Sequence, residues 1–309
     1  MLGSIALVGV GLVLLVIASD RLVVSAVRVA RTLGVSTVLI GAVLVGLGTS
    51  IPELLVSGIA ASAEELDVAM SNVVGSNVAN VTLVLGTAAL VAPVAATSRL
   101  VRREGLLMLF AVVAFAGVLA DDRVARTEAI GLLAGLVVAL TLLVFWSRSP
   151  ASSMLGGDEP ATEAPRLFVD LLVGVGALIV TVVAANVLLD GALDIGERLE
   201  WSDTFLGLLL GVGTSLPELA TALAAARRRE SGLVVGNVIG SNIFNSLAVA
   251  GTAGVVGPAV LTDLQGGPVV VMILTALAAG ILSRTGIGIG RIEGGMLLAA
   301  FAVFGFLAF

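Results

Sequence analysis

Two short blocks occur twice in this chain, and each carries oxygen groups that can hold a cation. Gly48-Thr49-Ser50-Ile51-Pro52-Glu53 recurs as Gly213-Thr214-Ser215-Leu216-Pro217-Glu218. The second block begins 22 residues after each Glu, as Gly75-Ser76-Asn77-Val78-Ala79-Asn80 and Gly240-Ser241-Asn242-Ile243-Phe244-Asn245. Both blocks are displaced by 165 residues. Carboxylates, hydroxyls, amide oxygens and backbone carbonyls are the donors that hard cations prefer.

Each group also has a plainer reading. A lone Glu in an apolar segment can be protonated and bridge two helices. A lone Pro can simply kink a helix. Ser and Thr in apolar helices often bond back to the preceding turn. Duplication of the whole surroundings favours the ion reading for Glu53 and Glu218. Joined, they make a site of charge about −2, costly at mid-bilayer unless balanced. Pro52 and Pro217 are expected to free carbonyls around Gly46 to Gly48 and Gly211 to Gly213, with Thr49, Ser50, Thr214 and Ser215 beside them. Ser76 and Asn80, like Ser241 and Asn245, are spaced i, i+4 and share a helical face. Asn72 and Asn237 extend that stripe. Asn77 and Asn242 lie off it and are expected to cap or brace neighbouring helices.

The segments that position these groups are apolar. Of 309 residues, 58% are hydrophobic and 12% charged, about half the charged share of a soluble domain. Mean hydropathy is +1.16. The runs are continuous, which argues against a β-barrel. An all-α, multi-pass protein of the cell membrane follows, in contact with the lipid bilayer. Polar breaks divide it into ten transmembrane segments, near 3–27, 36–62, 68–92, 103–120, 128–146, 167–190, 204–226, 232–257, 267–284 and 290–309. Residues 147–166 form a polar linker between 1–146 and 167–309.

Five segments per half place the halves in opposite orientations, as two inverted repeats. Aligning 44–87 with 209–252 gives 20 identities in 44 positions. Matching loops differ in charge: Glu64 and Glu65 in one, Arg227, Arg228 and Arg229 in the other. With both termini outside, the inner loops hold twelve Arg and the outer loops three, Arg123, Arg126 and Arg198. That bias places the linker in the cytoplasm. Asp20, Asp190 and Asp194 sit toward segment ends, where contact with interfacial water is the simple reading.

There is no Cys and no His. Thiolate and imidazole metal sites, disulfides and His-based catalysis are excluded. No phosphate-binding loop or metalloprotease motif occurs. No cofactor, nucleic-acid partner or enzymatic activity is expected.

The doubled Gly-Thr-Ser-x-Pro-Glu and Gly-Ser-Asn-x-x-Asn blocks resemble the α-repeats of the sodium/calcium exchanger family, within the cation/Ca²⁺ antiporters, and its prokaryotic members above all. The resemblance implies a central cluster of Glu53, Asn80, Glu218 and Asn245. It implies further oxygens from Thr49, Ser50, Thr214 and Ser215. Ser76 and Ser241, with the carbonyls of Gly46 and Gly211, would complete flanking Na⁺ sites. It also implies that segments 3–27 and 167–190 slide across the remaining bundle. Asn245 departs from the pattern, because many relatives carry Asp there. That removes a titratable group and argues against K⁺ cotransport.

The expected function is exchange of Ca²⁺ for Na⁺ by alternating access. An empty site of charge about −2 resists crossing the membrane, whereas Ca²⁺ or a set of Na⁺ neutralises it. Shared ligands make occupancy exclusive, and protons should compete at acid pH. The alternatives are a Ca²⁺/H⁺ or other divalent-cation antiporter, then a cation channel, then an intramembrane enzyme.

Overall fold

The structure is a computed structural model that describes residues 1–95, 101–147, 166–201, 209, 212–262, 266–282 and 288–308. Most of the expected linker, and the start of segment 204–226, fall outside these residues. The described chain is helical apart from two short strand pairs. In order, the helices are α1 (Leu2–Leu33), α2 (Thr37–Thr49), α3 (Ile51–Ser62), α4 (Leu66–Val91), α5 (Leu106–Val118), α6 (Arg126–Ser147), α7 (Leu167–Arg198), α8 (Leu216–Arg227), α9 (Ser231–Val256), α10 (Gly266–Leu282) and α11 (Arg291–Ala308). Five of these are long and apolar enough to cross a membrane by themselves: α1, α4, α6, α7 and α9. The bent pair α2–α3 makes a sixth.

The 165-residue offset extends to helix ends. Leu2 matches Leu167 at the starts of α1 and α7, which are both 32 residues long. Ile51 matches Leu216 at the starts of α3 and α8, and Leu66 matches Ser231 at the starts of α4 and α9. At about 1.5 Å per residue, α1 and α7 each run about 48 Å, well over a hydrocarbon core of about 30 Å. Such helices fit a bilayer by tilting. Their outer faces are bare: Leu12, Val13 and Ile17 on α1 and Leu172 and Ile179 on α7 are exposed.

α1 and α7 pack mainly on each other. Gly11 lets the α7 backbone approach, since a Cβ there would stand 2.8 Å from the Leu188 nitrogen. Small residues at such crossings are the usual route to tight helix pairs in lipid. Both ends are fastened. Ser4 donates to Asp194 near one end. At the other, Ser25 donates to the Asp170 carbonyl and Arg28 lies 3.7 Å from the Asp170 carboxylate. α1 ends at Gly34, whose φ of 65° is the left-handed conformation that glycine adopts without strain.

The remaining helices form a bundle around α2 and α9, which cross at the centre. A Cβ on Gly240 would lie 2.3 Å from the Ala42 carbonyl oxygen, and one on Gly236 would lie 2.3 Å from that of Val38. Only glycine permits this approach of backbone to backbone. The main hydrophobic core flanks the crossing with Met70, Val73, Phe115, Ile243 and Met272.

Two antiparallel pairs tie loops of the first half to loops of the second. β1 (Val94–Ala95) pairs with β4 (Gly288–Ile289), with Val94 opposite Ile289. β2 (Arg123–Val124) pairs with β3 (Ala259–Val260), with Val124 opposite Ala259. The sequence reading contained no strands. Two-residue pairings carry no alternation that a sequence pattern could reveal.

Candidate cation site

Glu53 and Glu218 each lie in the first turn of a short helix, α3 and α8. Ser50 ends the run before it with φ −87° and ψ 12°, and Ser215 has nearly the same backbone at −88° and 9°. The chain bends by 42° between α2 and α3. Pro52 and Pro217 therefore open new helices rather than kink continuous ones, which corrects the simpler expectation. In a first helical turn the missing N–H costs nothing. The carboxylates then sit at the positive ends of two helix dipoles, buried at 0% exposure. The end of α2 contributes carbonyl oxygen instead, the negative end of its dipole.

Glu53, from the first half, lies within electrostatic reach of Glu218, from the second. Ser50, one turn before Glu53 in the first half, donates its hydroxyl to Glu218 Oε1 at 3.0 Å. Thr49, also buried, donates to the Val45 carbonyl at 3.0 Å and stands 3.5 Å from Asn237 Oδ1. The Gly46 carbonyl accepts the Ser241 hydroxyl at 3.2 Å, so this expected oxygen lies where the first half meets the second.

Asn80 and Asn245 are fully buried, and each begins a π-helical turn, at Asn80–Val84 and Asn245–Val249. Such turns interrupt the regular backbone ladder and are frequent at functional sites. The sequence blocks placed both asparagines but gave no sign of this backbone.

What sets the site apart is its set of buried polar atoms without protein partners. Among the described residues these include both carboxylate oxygens of Glu53, Oε2 of Glu218, the hydroxyls of Ser76 and Ser215, and both amide atoms of Asn80 and Asn245. An unsatisfied buried oxygen costs about 1–3 kcal/mol, and more when charged. Carboxylate, hydroxyl and amide oxygens of this kind, carried by the doubled blocks of both halves, fit groups that a hard cation completes. Thr214 is also buried and stands beside Ser215. Gly211 lies outside the described residues.

Behind the cluster is a support that the sequence reading did not separate from it. Asn237 donates to the Glu218 carbonyl at 3.2 Å and to Thr221 at 3.4 Å. Asn72 repeats this with the Glu53 carbonyl at 3.5 Å and Ser57 at 3.0 Å. These side chains hold the short helices from behind. Asn77 braces as expected, donating to Ser246 at 3.0 Å from α4 to α9. Asn242 instead returns to its own helix at the Val238 carbonyl, 2.7 Å away.

Comparison with known proteins decides the family. The sequence profile described as sodium/calcium exchanger protein matches residues 3–145 and 169–309. The chain belongs to the sodium/calcium exchanger family. Among its relatives, the sodium/calcium exchanger MaX1 of Methanosarcina acetivorans is 32% identical over 95% of this chain and 95% of its own. The inner membrane protein YrbG of Escherichia coli is 40% identical over 85% of this chain and 83% of its own. A structure of the sodium-calcium exchanger NCX_Mj, soaked with Na⁺ and Ca²⁺, superimposes with a TM-score of 0.85 at 30% identity, covering 97% of this chain and 96% of the other. Family membership makes this exchanger a multi-pass membrane cation antiporter, built on the same helical fold.

Proposed function

We propose that this antiporter exchanges Ca²⁺ for Na⁺, and that both ions use the cluster between α3 and α8. The observation that carries the reading is the set of buried oxygens without partners among the described residues that both halves contribute, on Glu53, Glu218, Ser76, Ser215, Asn80 and Asn245. Glu53, Glu218, Asn80 and Asn245 form its centre. Thr49, Ser50, Thr214, Ser215, Ser76 and Ser241 surround it, with the carbonyl of Gly46. Two carboxylates of charge about −2 are neutralised by one Ca²⁺ or by two Na⁺. With one set of ligands, binding of either ion displaces the other, so the cycle exchanges rather than cotransports.

The ten segments form two inverted repeats of five, 1–146 and 167–309, joined by the 147–166 linker. The matching helix starts support this division, as does the opposite charge of the loops after α3 and α8. Both termini lie outside and the linker is cytoplasmic. In that orientation α8 is the cytoplasmic half of its span and α3 the outer half of its own. α1 packs along α8, while α7 makes no comparable contact with α3. The conformation is then closed toward the cytoplasm, and the fastened α1–α7 pair is the unit that moves.

The test is ⁴⁵Ca²⁺ uptake into proteoliposomes loaded with Na⁺. Uptake is expected to need the outward Na⁺ gradient and to vanish when choline replaces Na⁺. Uptake driven equally well by a pH gradient in choline would instead favour the proton-coupled antiporter. A reporter fused to either terminus and found in the cytoplasm would reverse the orientation.

A further inference from the structure

We propose that the groove between α1 and α8 binds one anionic phospholipid. The groove has a volume of about 480 Å³ and lies apart from the glutamate pair, so the inference does not depend on which ions are exchanged. Its floor is apolar, with Leu12 on α1 and Leu219 and Leu223 on α8. Its rim is charged, with Asp20, Arg21 and Arg227.

The rim charges are not equivalent. Asp20 is already engaged, because Arg228 donates two hydrogen bonds to its carboxylate, each of 2.7 Å. Its negative charge is thereby cancelled. Arg21 and Arg227 are exposed, and among the described residues neither makes a hydrogen bond or an ion pair within 4 Å. Two guanidinium groups thus stand at the head of an apolar slot. A guanidinium presents a planar fork that suits phosphate oxygens. The slot below opens along a helix face that is itself lipid-exposed, with Val16 and Ile17 uncovered. A free inorganic anion would use the rim and leave the floor bare. A neutral lipid would use the floor and leave Arg21 and Arg227 sharing only the field of an Asp20 that Arg228 already holds. A phospholipid with a net negative headgroup uses both, and it would bridge α1 to α8.

Native mass spectrometry of the full chain, released from mild detergent after addition of phosphatidylglycerol or phosphatidylcholine of matched chains, tests this. One phosphatidylglycerol should be retained in preference to phosphatidylcholine. That preference should fall about fivefold for each of Arg21→Gln and Arg227→Gln. Leu223→Trp fills the floor while keeping both Arg, and should lower retention of both lipids. Equal retention of the two lipids by the unaltered protein overturns the proposal. So does unchanged phosphatidylglycerol retention in the double Arg variant or in Leu223→Trp. Arg126→Gln, at an exposed site on a different helix, controls for loss of charge alone.

Discussion

The two halves match residue for residue at the site, yet their surroundings differ. Glu218 accepts the Ser50 hydroxyl, whereas among the described residues neither oxygen of Glu53 has a partner and the matching Ser215 hydroxyl is unbonded. Ser241 reaches the Gly46 carbonyl, whereas Ser76 is bonded to nothing among the described residues. α1 leans on α8, and among the described residues α7 makes no comparable lean on α3. Near-identical residues therefore occupy two local states in one molecule. We read the asymmetry as a property of the conformation rather than of the side chains. Exchanging the two states between halves would give a second conformation of similar composition, which is what alternating access requires.

The comparison can be broken most severely at the carboxylates. Glu53→Gln and Glu218→Gln, made singly, should each lower Na⁺-driven ⁴⁵Ca²⁺ uptake by about 100-fold or more, since ligand charge sets cation affinity. Full exchange in the double variant would remove the site altogether, and strong loss in only one single variant would show that the halves are not equivalent in function. Next is the central crossing. Gly240→Ala puts a methyl group against the Ala42 carbonyl and should cost about 1–3 kcal/mol, read as a lower melting temperature in detergent. A third measurement compares the braces. Asn237→Ala should reduce apparent Ca²⁺ affinity about tenfold, as loss of a supporting contact does at metal sites. Asn72→Ala should do less, because its bond to the Glu53 carbonyl is longer. The smallest effect is expected at Asp20. Its ion pair with Arg228 is about half exposed, so Asp20→Asn should shift the conformational balance by under about 1 kcal/mol. Because the chain has no Cys, single cysteines on α3 and α8 can report that shift through their labelling rates.

Much of the site was legible because it is encoded twice. The paired blocks marked Glu53 with Glu218 and Asn80 with Asn245, and the structure brings Ser50 of one half onto Glu218 of the other. The same offset reappears at helix ends, for α1 with α7 and for α3 with α8. What escaped the sequence depends on partners distant in the chain. The π-helical turns at Asn80 and Asn245 are backbone choices that their residue types do not force. Asn72 and Asn237 share a face with the site residues, so spacing alone could not say that they point at the backs of the short helices. Asp20 looked like an interfacial acid, and Arg228 like a marker of orientation. Only the packing of α1 against α8 joins them.

The β1–β4 and β2–β3 pairings bear on how the protein is made. Val94 is synthesised well before its partner Ile289. Val124 likewise waits for Ala259. Neither half can finish its loops alone. A nascent chain halted before residue 288 would leave the β1 edge open, ready to bind quality-control factors or a neighbouring copy.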